Sequence, residues 1–420
     1  MARAVAENPM LKLRKDAAKK YDTMVGPMNT LVEDAKFLTT GNIALDYIMG
    51  GGLPLGRSVE LSGPPGCGKS TTALQASVAL QKTIKAGGDP SRGITKDDVI
   101  LWLDYENAMD IEYAKSLGLD VNHESFLYAT FSTLEDGANF TNEFFKAGGR
   151  LVIVDSIAAM EPSMKAQAEV GKSLPGLTAR LLKEWGVGLN SILAENNATI
   201  VFLNHLIDKF DMGGPARPGM GKPTTTPGGI ALKFFASTRV QYTPMDKQMG
   251  TVIDPLTNEL VKQPISTNVK VKVIKNRVAP PFRAAVVRVR YGKGFDNFWT
   301  ALQILLAAKK VIYASPYFKF HNVEADGLAP DWMPRMKTGM MPPAIQGEKK
   351  LFKVADIKPE WRDGMIALAE KVVAENITAL EEAAPTEQED DDEDDEVDLE
   401  QESMEMDAMI PESSGKKAKL

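Results

Sequence analysis

Gly63-Pro64-Pro65-Gly66-Cys67-Gly68-Lys69-Ser70 sets two glycines with four residues between them ahead of a Lys and a Ser. Before it, Ser58-Val59-Glu60-Leu61 reads as a short strand; after it, Thr71 to Leu80 reads as a helix. A glycine-rich turn between strand and helix lets backbone N–H groups curl round phosphates at a positive helix terminus. In that arrangement Lys69 reaches the β- and γ-phosphates and the Ser70 hydroxyl can ligate Mg²⁺. The stretch through Thr71 is therefore the candidate phosphate cradle.

Working outward, short β-branched runs alternate with longer helical stretches from about 36 to 293, which predicts a mostly parallel twisted sheet with helices on both faces. The expected strands are Val99 to Asp104, Ser125 to Ala129, Leu151 to Asp155, Thr199 to Asn204, Ser237 to Tyr242, Asn268 to Asn276 and Ala284 to Tyr291. Residues 1–35 read as an amphipathic arm, and 294–380 as a small C-terminal domain. Within that domain, helices are expected near Phe298 to Lys309 and from Trp361 to Leu380.

The 420 residues carry a net charge of −7, unevenly placed. Residues 381–420 hold 17 acidic side chains against three lysines, a balance of −14 that leaves +7 on the other 380. So acidic a tail is expected to be disordered, and to compete with a polyanion for the basic body. The single cysteine, Cys67, excludes an intrachain disulfide, and Cys/His metal sites are not expected. No run suits a membrane span or a secretory signal, so a cytoplasmic protein without membrane contact is expected.

Two carboxylates follow strands. Asp155 closes Leu151-Val152-Ile153-Val154, 85 residues after Ser70, where a carboxylate can meet the cation held by a P-loop Ser. Glu106, in Leu103-Asp104-Tyr105-Glu106, stands where a group must orient and deprotonate water.

These segments, with Leu38-Thr39-Thr40-Gly41, Gly51-Gly52-Leu53-Pro54 and Ala231-Leu232-Lys233-Phe234-Phe235-Ala236-Ser237-Thr238-Arg239, resemble the bacterial RecA recombinases and their phage relatives over about residues 36–295. The resemblance implies a RecA-type P-loop ATPase core with an N-terminal oligomerisation arm and a small α+β C-terminal domain. It further implies ATP and Mg²⁺ as ligands and a homo-oligomeric helical filament on single-stranded DNA that pairs homologous double-stranded DNA and exchanges strands. Single-strand-binding and loading proteins are further candidate partners.

Carried over by position, Glu106 matches the catalytic glutamate, Asp155 the second-motif aspartate, and Asp110 and Tyr113 the adenine contacts. Lys275-Asn276-Arg277 resembles a Lys-Asn-Lys segment whose cations reach the γ-phosphate of a neighbouring subunit. Lys233, Phe234 and Arg239 match subunit contacts. Where bacterial members have Asn-Gln at the γ-phosphate sensor, this chain has Asn204-His205, as phage recombinases of the UvsX type do. That tilts the origin towards phage and bears on hydrolysis rate and pH response.

DNA contacts are expected in two loops. The first, Glu161 to Gly176, contributes Met164, Lys172 and Leu174 and leads into the helix bearing Arg180 and Lys183. The second, Ile207 to Gly229, contributes Lys209, Phe210, Arg217, Lys222, Gly228 and Gly229. Cations, glycine N–H groups and apolar wedges suit sequence-independent, salt-sensitive binding. A non-catalytic recombination mediator and a hexameric helicase are the competing classes. The complete Lys69, Glu106, Asp155 and Lys275 set argues against the first, and the short stretch before residue 36 against the second.

Overall fold

The computed structural model describes residues 16, 20, 35–166, 176–208, 224–225, 231–254, 256–320, 330, 332–334 and 343–382. The chain divides at Ile377, and of the second unit, Thr378–Leu420, only 378–382 are described. The expected arm and acidic tail thus lie almost wholly outside the described residues.

In the first unit the elements run α1 (Ile43–Met49), β1 (Ser58–Gly63), α2 (Lys69–Lys85), β2 (Ile100–Asp104), α3 (Ile111–Ser116), β3 (Phe126–Ala129) and α4 (Leu134–Lys146). There follow β4 (Leu151–Asp155), α5 (Leu177–Asn196), β5 (Thr199–His205), α6 (Ala231–Phe235), β6 (Thr238–Ile253), β7 (Leu260–Asn276), β8 (Ala284–Arg290) and β9 (Gly294–Phe295). Among the described residues these nine strands form one sheet, ordered β9-β8-β7-β6-β1-β5-β4-β2-β3. From β6 through β1 to β3 every pairing is parallel. The β6–β7, β7–β8 and β8–β9 pairings are antiparallel. The chain is α/β as expected, with a mixed sheet.

Alternate residues of the central strands enter opposite cores, as pleating requires. Ile100 and Trp102 join the cluster under α1 and α2, while Leu101 and Leu103 join the one under α4 and α5. With both faces covered, β4 reads as an unbroken apolar run. Asn42 and Thr133 cap α1 and α4 through their side chains. At the end of the sheet opposite the glycine loop, the buried Arg150 guanidinium meets Asp98 at 2.7 and 3.1 Å and donates to the carbonyls of Gly93, Asn196 and Asn197. Replacing Arg150 with Ala strands a buried carboxylate and is expected to cost about 3–5 kcal/mol of stability, measurable as a lower urea midpoint.

Strand β6 runs on 11 residues past its expected end at Tyr242, to Ile253, and β7 starts 8 residues before its expected start at Asn268, at Leu260, so the two form one long hairpin. Pro244, Gly250 and Pro264, residues uncommon inside strands, lie in that stretch. Register shifts at Pro244/Lys247 and Gln248/Met249 accommodate them. A third core, running from Phe298 to Val372, contains α7 (Asn297–Ala307), β10 (Val311–Ala314), β11 (Tyr317–Phe320), β12 (Ala344–Gln346), α8 (Glu348–Ile357) and α9 (Pro359–Glu382). Since β9 pairs with β8 and Phe295 belongs to the first core, the change of core falls between Phe295 and Phe298.

Candidate functional site

The carboxyl ends of β1, β2, β4 and β5 lie along one edge of the sheet, the position where parallel α/β sheets bind ligands. From β1 the chain turns through Gly66 and Gly68, with φ of 71° and 96°, a region that favours glycine. Gly63 is required by packing, because a Cβ there would come within 2.9 Å of Tyr242 and 2.7 Å of the Cys67 sulfur. Cys67 is fully buried, which pushes its thiol pKa up. The Lys69 ammonium lies back over its own loop, donating to the carbonyls of Gly63 at 2.8 Å and Pro64 at 2.9 Å. Burial lowers its pKa.

Ser70 Oγ donates to Asp155 Oδ2 at 3.4 Å. Burial, followed by repulsion from Glu106 and Asp104, pushes Asp155 up to about 6. An under-neutralised carboxylate beside a hydroxyl, both hard oxygen donors, fits Mg²⁺, which takes its remaining ligands from water and substrate phosphates. No group of three or more His, Cys, Asp or Glu placed to hold a metal ion by themselves occurs among the described residues. When bound there, the cation would neutralise phosphate charge.

Glu106 stands on the turn after β2. Buried Asp104 accepts from the backbone N–H groups of Glu106, Ala108 and Met109, each at 3.0 Å, and from the Tyr128 hydroxyl at 3.0 Å, which locks that turn. His205 Nε2 lies 3.2 Å from Glu106 Oε1. The Ser156 hydroxyl also donates to Oε1.

A cavity of about 510 Å³ opens beside the glycine loop, lined in part by Ser70, Asp110 and Tyr113. The Asp110 carboxylate caps α3 by accepting from Tyr113 N at 2.9 Å, and the Tyr113 hydroxyl meets Thr71 Oγ1 at 2.8 Å. The far wall is Val289 to Gly292, which sequence reasoning passed over. Its signal was there: Gly292 and Gly294, both at positive φ, directly after an apolar strand.

The remaining cations sit apart from this edge. Lys275 Nζ donates to the carbonyls of Lys233 and Phe234, at 2.8 and 2.9 Å, and Arg277 donates to Phe234 O at 3.2 Å. Burial, then Arg277 and Arg239, lowers Lys275 to about 8. Phe234 is 70% exposed. Arg239 turns inward instead, its Nε 2.5 Å from Glu60, a fully buried carboxylate that also accepts from Asn204 at 2.9 Å. Arg180 and Lys183 on α5 border a second cavity of about 810 Å³ together with Phe234 and Arg277. Met164 is exposed. Lys172, Leu174, Lys209, Phe210, Arg217, Lys222, Gly228 and Gly229 lie outside the described residues. No described helix is long and apolar enough to cross a membrane.

The family model of the RecA N-terminal domain matches residues 12–296. Protein RecA of Chloroherpeton thalassium is 34% identical over 288 residues, 68% of this chain and 72% of that protein. Protein RecA of Lactococcus lactis subsp. cremoris is 34% identical over 287 residues, 68% of this chain and 67% of that protein. A crystal structure of the RadB recombinase aligns at 20% identity with a TM-score of 0.40, covering 61% of this chain and 98% of that one.

Proposed function

The chain belongs to the RecA family, and on that premise we propose that it is an ATP-dependent DNA recombinase, one that assembles as a helical filament on single-stranded DNA and carries out homologous pairing and strand exchange in the cytoplasm. The observation that carries this reading is the meeting of Lys69, Ser70, Asp155, Glu106 and His205 at the sheet edge from which both expected DNA loops depart, after β4 and β5. In this reading the cradle from Gly63 to Thr71 holds the phosphates of ATP, and Ser70 and Asp155 hold Mg²⁺. The cavity bordered by Asp110, Tyr113 and Tyr291 takes the base, and Glu106 deprotonates the attacking water. His205 senses the γ-phosphate. Lys275 and Arg277 serve the nucleotide of the adjacent subunit, since all their partners here lie on α6, away from the cradle of their own chain. Lys233 and the exposed Phe234 belong to the same subunit contact, whereas Arg239 is held inward by Glu60. Arg180, Lys183 and the two loops contact DNA phosphates and bases.

The deciding experiment is strand exchange between single-stranded DNA and a homologous duplex with ATP and Mg²⁺, with a heterologous duplex as control. Product that depends on homology supports the recombinase. DNA-stimulated hydrolysis without product would point to a mediator, a helicase or a missing loading partner.

The state of Lys275 supplies a prediction. Its ammonium loses its proton as pH rises through about 8, and with it the charge that draws a γ-phosphate. The kcat/KM for DNA-dependent hydrolysis is therefore expected to fall above that pH. Lys275→Arg, which keeps its charge throughout, should move the fall to higher pH.

A further inference from the structure

Ser156 follows Asp155 at the end of β4 and is fully buried. A serine between a strand and a helical turn ordinarily caps the turn with its hydroxyl. Here the turn Ile157–Ala159 begins at Ser156, yet the side chain makes no capping bond. Its hydroxyl donates instead to Glu106 Oε1, across 50 residues of sequence. His205 Nε2 approaches the same oxygen at 3.2 Å. Both partners of the carboxylate fall on Oε1, and Oε2 makes no hydrogen bond among the described residues. The backbone at Glu106 is fixed separately by Asp104.

We propose that Ser156 is a positioning residue for hydrolysis: its hydroxyl holds Oε1 of Glu106 so that Oε2 faces the attacking water. This rests on the reading of Glu106 as the base. Oε2 takes a proton from water as the water oxygen bonds to the γ-phosphorus. The bond from that phosphorus to the bridging oxygen breaks, and the electron pair leaves with ADP. Ser156 keeps its own proton throughout. Its contribution is orientation, which matters because Glu106 and Asp155 repel each other at this edge and an untethered Glu106 would swing away from the phosphates.

The test is steady-state DNA-stimulated ATP hydrolysis by the full chain carrying Ser156→Ala, Ser156→Cys, Glu106→Gln, or Ser156→Ala with Glu106→Gln, each checked by thermal melting. Ser156→Ala is expected to lower kcat about 10- to 100-fold, the usual loss for an orienting partner, at unchanged KM for ATP. Cysteine keeps the volume but is a weak donor, so Ser156→Cys should resemble Ala, and it decides the matter if the alanine variant melts early. The double variant should be no slower than Glu106→Gln alone, because Ser156 acts only through that carboxylate. Wild-type kcat in Ser156→Cys, or losses that multiply in the double variant, would overturn the proposal while leaving Glu106 as base. Wild-type hydrolysis by Glu106→Gln would overturn both.

Discussion

Glu106→Gln is expected to lower DNA-stimulated ATP hydrolysis by about 10²- to 10⁴-fold, the range that a positioned general base contributes. The substitution keeps the side chain's length and leaves a carbonyl oxygen that can still accept from Ser156. It removes only the capacity to take a proton at neutral pH. Nucleotide binding and ATP-dependent assembly on single-stranded DNA should persist, since Lys69, Ser70 and Asp155 are untouched. Loss of the Glu106 charge also removes the larger of the two repulsions acting on Asp155, which favours its ionised form. Hydrolysis and assembly are measured separately, by phosphate release and by electron microscopy of filaments. Their joint loss would count against Glu106 as the base.

The double substitution Lys275→Ala and Arg277→Ala is expected to lower hydrolysis by about 10³- to 10⁵-fold, as removal of an arginine finger does. The more telling result comes from mixing. If the two cations serve a neighbour, a filament built from this variant and Glu106→Gln contains some junctions where an intact Glu106 faces intact cations. Mixing two inactive preparations should then restore hydrolysis. Absence of recovery in co-assembled filaments would mean that Lys275 and Arg277 act within their own chain. Little folding stability is at stake, because the bonds they lose are to carbonyls at the exposed end of a short helix.

Most of the edge that carries the site was legible because its signals are local. Gly63 to Ser70 prescribes its own turn, and an unbroken run such as Leu151 to Val154 declares a strand buried on both faces. Legibility failed where a role depends on what lies across the fold. Nothing near Ser156 in the sequence points to Glu106, nor does Asp104 announce that it ties down the next turn. Arg239, placed at a subunit contact by resemblance, is seen to neutralise Glu60, a buried charge hidden in an ordinary strand. The outer part of the β6–β7 hairpin escaped because prolines and a glycine, read locally, argue against a strand. An arm whose outer edges need no partners tolerates them.

The bonds from Lys275 and Arg277 to the end of α6 commit only part of each cation. The carbonyls of Lys233 and Phe234 take two of the three N–H donors of Lys275 and one of the five of Arg277. A solitary subunit thus holds both cations to its own helix while leaving donors spare. In a row, a neighbour's phosphate would draw on those spare donors, so readiness for chemistry would belong to the junction between subunits and not to either one.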